Sequence, residues 1–525
     1  MRAALLSNRQ QESAGTSRVV SVPAAVRGWN TRDPLAQMKP LYAQILDNLF
    51  PTEGQVELRG GCEAWATSSA GIIRTLISFQ PSSGSEKLLA VSDTGFYDAT
   101  AGGAMGATIK ALTDGHFESV IITNSAGTQY LWGCNGVDDV VVYDGTTFTS
   151  LNAGSTPAIT GVNTNTLNWC WAFKRRIFAV QEGSMNAWYG PIDSIAGPFA
   201  VMPLGAVFHR GGYLLSGASW TMDGGLGPDD YCVFITSEGE VAVYKGINPA
   251  SAASWELVGT YFVGRPPSRR CVVQYGADLI ITTEFGGISL SRLLQSGLLS
   301  VDKALTDAIR PTFAAAVRDY RANDGWQSLI YPTRNALIVN VPTTSTVSSQ
   351  FVMNTITGAW CAFSGWNAKC FTVHEGVLYF GIAGGTVVRA WDGVISGDYG
   401  NDITATHFSA YNKFGSGGLK QVKLVRPLLT SDSGVQLSFG VSADYDPPVA
   451  TSVIPRGSAS SYSYWDVALW NVSFWSLPPI RQKRWYHVSS ETGFALAFFL
   501  QAATNTAVVV TLSSLDFELS FSQGL

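Results

Sequence analysis

Gly95-Phe96-Tyr97-Asp98, Val141-Val142-Tyr143-Asp144-Gly145, Ala187-Trp188-Tyr189-Gly190 and Val241-Ala242-Val243-Tyr244-Lys245-Gly246 end four strand-like runs in the same way. The tyrosines fall at 97, 143, 189 and 244, in steps of 46, 46 and 55. Val388-Arg389-Ala390-Trp391-Asp392-Gly393 closes the series. A repeat of ~40–50 residues holding several strands predicts a β-propeller. Alternation puts every second side chain on a buried face, and glycine lets the chain turn tightly out of the strand.

Composition agrees. The chain has 525 residues, of which 46% are apolar, 12% aromatic and only 14% charged, with 54 glycines. The usual charged share is ~25%. Such a chain can bury a large core and further surface against partners. The net charge is -5, which does not suggest a basic face for gripping duplex nucleic acid. Seven scattered cysteines with no C-x-x-C pair predict isolated buried thiols in a reducing compartment, over a disulfide such as Cys361–Cys370. Met1 to Leu6 is too short for a secretory h-region, and no apolar run approaches ~18 residues. Synthesis in a cytoplasm and no membrane span are expected.

Outward from the repeat, residues 1–26 read as an arm. Within 27–61, Asp33-Pro34 predicts a helix start, with Leu35, Met38, Tyr42, Ile45, Leu46 and Leu49 at roughly helical spacing. Pro40 would kink that helix, and Pro51 would end it. Short β-rich runs at 88–91, 120–123, 176–180, 233–236 and 279–282 precede turns and second strands, most clearly between Tyr231 and Tyr244. A helical insertion is expected at about 302–320, interrupted by Pro311. Beyond Gly400-Asn401 the strands lengthen. The Ser-rich stretch 457–463 and Asp446-Pro447-Pro448 read as loops.

The fold class is therefore all-β: a β-propeller with a short helical insertion plus a β-sandwich-like platform domain. The divisions are 1–61 (arm and platform segment), 62–399 (propeller) and 400–525 (platform or nozzle domain).

Chemistry is sparse. The five histidines form no H-E-x-x-H or H-x-H pair, and no G-x-S-x-G elbow or phosphate loop occurs. Asp444-Tyr445-Asp446 and Asp229-Asp230 read as turn residues, with calcium as the alternative. Arg481-Gln482-Lys483-Arg484-Trp485-Tyr486 is the one basic cluster. Arg481, Lys483 and Arg484 could meet phosphates while the aromatics stack on bases; the alternative is a solvated strand end or a protein contact. No catalytic residue, metal ligand or cofactor is expected.

Three parts of the chain resemble the tail nozzle, or tail tubular protein B, family of short-tailed bacteriophages, related to packaged-DNA stabilisation and tail hub proteins. The first is Gly28-Trp29-Asn30-Thr31-Arg32-Asp33-Pro34-Leu35, Leu46-Asp47-Asn48-Leu49-Phe50-Pro51 and Val56-Glu57-Leu58-Arg59-Gly60-Gly61. The second runs from Phe285-Gly286-Gly287 through Leu337 to Pro342 and on to Phe351 to Trp360. The third is Ala405 to Tyr445. Trp29, Asn30, Asp33, Asn48, Phe50, Pro51, Arg59 and Gly60 become the family-motif and assembly candidates.

The resemblance implies a non-enzymatic structural protein of the virion tail, made in the host bacterial cytoplasm. Six copies would form a ring below the portal and adaptor proteins. The ring would carry tail fibres or tailspikes and pass genomic DNA without reading its sequence. Its ring-forming parts would be the 28–61 block and the 403–525 domain. The rival readings are a carbohydrate-active propeller (a tail-associated glycosidase or depolymerase) and a plain propeller interaction module.

Overall fold

The computed structural model describes residues 17–223, 228–297, 302, 304–456, 480–488 and 491–521. Within them, seven antiparallel blades of three or four strands pack face to face in a ring. Blade one is Ile73–Phe79, Lys87–Ser92, Gly95–Asp98 and Lys110–Ala111. Blade two is Glu118–Thr123, Gln129–Cys134, Val140–Tyr143 and Phe148–Leu151. Blade three is Leu167–Phe173, Arg176–Gln181, Asn186–Tyr189 and Ala200–Pro203. Blade four is Leu214–Asp223, Pro228–Thr236, Glu240–Gly246 and Trp255–Phe262.

Blade five has three strands, Val272–Tyr275, Asp278–Thr283 and Gly286–Ser289. Blade six is Gln327–Tyr331, Ala336–Pro342, Ser348–Asn354 and Trp360–Phe363. Blade seven joins Ala368–His374, Val377–Ile382 and Val387–Ala390 to Cys62–Thr67. That last pairing, Ala390 opposite Cys62, ties the end of the propeller to its beginning. The chain is a seven-bladed β-propeller.

The tyrosine repeat marks the third strand of blades one to four, and the Trp391 segment ends the third strand of blade seven. The third strands of blades five and six, Gly286–Ser289 and Ser348–Asn354, lack the signature and were silent in the series. Gly95 shows what its glycine is for. It stands at φ 141°, and a Cβ there would come within 2.2 Å of the Lys110 carbonyl oxygen on the neighbouring strand.

The second unit is a sandwich. One sheet runs Leu49–Pro51, Val56–Leu58, Val510–Phe521, Lys420–Ser431 and Ile480–Gln482, with Ser17–Pro23 also on Val510–Phe521. The facing sheet continues blade six. It passes from Trp360–Phe363 to Ala43–Asp47, then Ile403–Ser409, Leu496–Thr504, Gln436–Ala443 and Ser452–Ile454. Phe498 meets Phe517 edge-on between the layers, centroids 5.6 Å apart. A single apolar cluster runs from Tyr331, Phe363 and Phe380 in the propeller to Phe439, Phe498 and Leu515 in the sandwich. Its sheet crosses both positions at which the sequence was divided, 61/62 and 399/400.

Four expectations are corrected. Residues 35–49 are not a helix but turns followed by the strands Ala43–Asp47 and Leu49–Pro51. Leu35 is exposed, and Ala43–Asp47 fills a slot between blade six and Ile403–Ser409, where sheet pairing outweighs local spacing. The arm is docked at Ser17–Pro23, paired along Val510–Phe521; residues 1–16 lie outside the described residues. Pro311 does not interrupt the insertion. It sits in the first turn of helix α2 (Arg310–Tyr320), where its missing N–H has no intrahelical partner to lose. A second helix was not foreseen, α1 (Leu290–Ser296), capped by the Ser289 hydroxyl and by left-handed Gly297. The Ser-rich 457–463 stretch lies outside the described residues. Among these residues no helix is long and apolar enough to cross a membrane.

Candidate functional site

Two places concentrate polar side chains: a buried seam where propeller meets sandwich, and a partly exposed mouth of the propeller axis. The seam is built by the 28–61 block. Asn48 breaks its strand at φ 56°, the left-handed region that asparagine tolerates better than most residues. This turns its amide inward. Asn48 Nδ2 donates to Ser364 Oγ (2.9 Å) and to the Thr404 carbonyl (2.8 Å). Its Oδ1 accepts from the Ser364 N–H (2.9 Å) and from Arg59 Nε (2.8 Å).

Arg59 is 1% exposed. It donates to both Asp398 oxygens, at 2.9 and 2.5 Å, and to the Gly60 and Ser364 carbonyls. Its guanidinium lies 4.9 Å from the Trp366 ring centroid. A buried guanidinium is tolerable only when so fully paired. Gly60 is required by contact: a Cβ would stand 2.8 Å from the Trp391 Cα.

The other candidates join the same seam. Phe50 packs edge-on against Trp391, centroids 5.2 Å apart. The Pro51 carbonyl accepts from Asn354 Nδ2 (2.9 Å). Trp29 donates from its indole to the Gln44 carbonyl (3.0 Å) and packs edge-on against Phe351. Asn30 Oδ1 accepts from the backbone N–H groups of Arg32 and Asp33, and Asn30 Nδ2 donates to Asp33 (2.9 Å). Arg32 bridges Asp33 to Asp307 ahead of α2. Hydrogen bonding to Arg32 and Asn30 outweighs partial desolvation and holds the Asp33 carboxyl below its ordinary range. These contacts are all within one chain. They join the first resembling stretch to the second at Phe351 and Asn354, and the pairing of Leu46 and Asp47 with His407 and Thr406 adds the start of the third.

The second cluster lies at the axis mouth. Strands alternate in direction within a blade, so residues before first strands and between second and third strands share one face. Asp93, Asp114, His116, Asn135, Glu182, Arg270, Asp324 and Lys369 occupy such positions. Arg270, at the start of blade five, reaches across to blades one and two. It donates to the Arg74 carbonyl (2.7 Å), Thr75 Oγ1 (2.6 Å), the Phe117 carbonyl (3.2 Å) and Glu118 (2.5 Å). This brace spans the propeller axis from blade five to blades one and two.

Around it, Arg74 pairs with Asp93 (2.9 Å) and Asp324 (2.5 Å). His116 bridges Asp114 (2.6 Å) and Asp324 (3.0 Å). Those two carboxylates push the imidazole up to about 9, Asp114 contributing most. Asp114 is held below its usual range, chiefly by His116. Asp324 is driven low as well, since His116 and Arg74 overcome its burial. No sequence motif pointed here, because the groups come from five separate stretches.

The remaining expectations fall as follows. Arg481, Lys483 and Arg484 are exposed, at a strand that pairs with Lys420–Ser431. Trp485 lies under Arg426, 4.7 Å from ring centroid to guanidinium carbon. Asp444 Oδ1 accepts from the N–H groups of Phe494 and Ala495. Asp230 pairs with Lys174 and Thr221. All seven cysteines are buried and free.

These features define a class: among the described residues, a seven-bladed propeller welded to a β-sandwich. No protein-family model matches the chain, and no curated protein matches it. Among solved structures it is similar to the computationally designed Ika8 protein (10% identity, TM-score 0.37, covering 66% of this chain and 96% of that one). It is also similar to the β-propeller domain of Myceliophteria thermophila Cps50 (Swd1), at 10% identity, TM-score 0.37 and coverage of 63% and 99%. BBS1N, from a complex with ARL6DN, stands at 10%, 0.38, 64% and 96%. These are likenesses of fold alone, and the propeller is established by its seven blades.

Proposed function

We propose that this chain is a structural subunit of a short phage tail, a nozzle or hub component. In this reading copies assemble into a ring, six by family analogy, below the portal and adaptor. The ring closes the DNA exit channel, retains the genome, conducts it during ejection and carries tail fibres. The observation that carries the reading is the seam built by the 28–61 block. That block touches the second resembling stretch at Phe351 and Asn354, pairs with the start of the third through Leu46–His407 and Asp47–Thr406, and ties propeller to platform.

The Arg270 brace agrees with this arrangement. A conduit would run between subunits, not through each propeller. The role is mechanical and the protein is not an enzyme. A net charge of -5 suits a path that must pass DNA without holding it, since like charge opposes adhesion.

Particles made without the protein are expected to fill with DNA, then leak it and fail to infect. Stable, full, infectious particles lacking it would sink the proposal. A negative-stain image of the purified protein should show a ring.

The second reading, a carbohydrate-active propeller, draws on the carboxylates gathered at the axis mouth. Glycoside hydrolysis needs one carboxyl kept protonated beside an ionised one. Asp114 and Asp324 are both shifted toward the ionised form, and Glu118 is tied to Arg270. Reproducible cleavage of host polysaccharide by the pure protein would promote this reading over the first.

A further inference from the structure

The axis mouth holds a cavity of about 300 Å³, room for one small ligand. Four carboxylates and four cations line it, with His116 protonated, but they do not all find one another. Asp114 and Asp324 meet His116, and Glu118 meets Arg270. Glu182, Arg269 and Lys369 also line the cavity and enter no ion pair among the described residues. Arg269 donates to the Asn168 carbonyl (2.5 Å). His116 and Asp324, 39% and 44% exposed, leave the cavity open to solvent.

Lys369 is the sharpest case. It is 4% exposed, yet its ammonium makes one long bond, 3.4 Å to the Asp324 carbonyl, and keeps its other N–H donors unused. Burial holds it below its ordinary value, against the pull of the Asp324 carboxylate. A buried ammonium with no anion beside it is costly, and a ligand anion placed there relieves that cost.

The rest of the wall accepts hydrogen bonds. Asp114 holds His116 through Oδ1, and Glu118 holds Arg270 through Oε1. Asp114 Oδ2, Glu118 Oε2 and both carboxylate oxygens of Glu182 accept none among the described residues. Ionised carboxylates accept and cannot donate, so a ligand meets them with hydroxyl hydrogens. The balanced lining therefore suits a ligand that brings one anion and several hydroxyls, not a bare anion. That is the chemistry of an acidic sugar, and one ring fits the volume.

We propose that the axis mouth binds one acidic sugar unit, its carboxylate against Lys369 and its hydroxyls against Asp114, Glu118 and Glu182. The site binds and does not cleave, because Asp114 and Asp324 both stand in the ionised form and Glu118 is tied to Arg270. It is independent of the ring reading. A free uronate and the terminal unit of an acidic polysaccharide present the same group.

The test is isothermal titration calorimetry of the full-length protein with D-glucuronate, D-glucose, acetate and a disaccharide ending in glucuronate. Wild type is expected to bind glucuronate at least about tenfold more tightly than glucose, which lacks the anion, or acetate, which lacks the hydroxyls, since polar groups left unpaired reject an analogue. Disaccharide binding as tight as glucuronate assigns the polysaccharide end; weaker disaccharide binding assigns the free sugar. Lys369→Met keeps the apolar stem and should erase the preference for glucuronate over glucose. Glu182 is exposed and unpaired, so Glu182→Ala spares the fold and should weaken glucuronate by about tenfold. Circular dichroism checks that each variant is folded. A wild-type protein that binds neither uronate, or takes glucose or acetate as tightly, overturns the site. So does wild-type affinity in either folded variant.

Discussion

Arg59 is the side chain whose loss should be felt most at the seam. Replacing it with Met leaves the Asp398 carboxylate and Asn48 Oδ1 without their donor, 15% of the Asp398 side chain being exposed. Breaking a buried pair on one side costs about 3–5 kcal/mol. Urea denaturation of Arg59→Met should show a loss of that order, and Arg59→Lys should recover only part, since an ammonium cannot make the forked contact. Two histidines predict opposite pH slopes. Burial lowers His407 to about 4 from an ordinary 6.5. Its stabilising share is therefore complete above 6.5 and lost as pH falls from there toward 4. His116 is raised to about 9, so its share is complete below 6.5 and lost as pH rises toward 9. Melting temperature should fall on both sides. His407→Gln should flatten the acid limb between pH 6.5 and 4, and His116→Gln the alkaline limb between 6.5 and 9, with a further change at still lower pH as Asp114 and Asp324 lose the imidazolium; a His116→Gln variant that keeps the alkaline limb contradicts the assignment. Asn48 and Arg59 were singled out in the sequence for their motif, but the sequence held no sign that they touch each other or Asp398. Arg270, Asp324 and His116 carried no motif, and nothing in the linear order could have found them.

At the scale of elements, the 28–61 block is structural interior. Ala43–Asp47 is a central strand of the nine-stranded sheet, flanked by Trp360–Phe363 and Ile403–Ser409. Removing residues 1–61 would expose two unpaired edges and empty the seam, and bare edges pair with other chains. Such a truncation is expected to be insoluble or to aggregate on size-exclusion chromatography. Recovery of a soluble monomeric propeller would show that the block is dispensable to the fold. The apolar spacing of these residues predicts a helix, because their true neighbours in the sheet are more than three hundred positions away. Long-range pairing of this kind leaves no local trace. The blade hairpins were legible for the opposite reason. Their partners lie a few residues apart, and a turn such as Ser237-Glu238-Gly239 is written in the chain itself.

At the scale of the whole molecule, Arg481, Lys483 and Arg484 are exposed on the sandwich, beside the strand Lys420–Ser431. They are expected to meet protein and not DNA, so a charge-removing triple variant should leave any duplex affinity and its salt dependence unchanged. Loss of about 2–3 units of the salt slope would instead place phosphates on this cluster. By itself the sequence determined the β-propeller, the strands that repeat within it, the helical insertion and the β-rich second unit. Each of these rests on periodicity and turn chemistry acting over a few residues. Only the tertiary structure decided that there are seven blades, that Cys62–Thr67 closes the ring, that Arg270 spans the axis and that one sheet welds propeller to sandwich. Those facts depend on which distant strands and side chains meet, and burial and pairing across hundreds of residues settle that, not local preference.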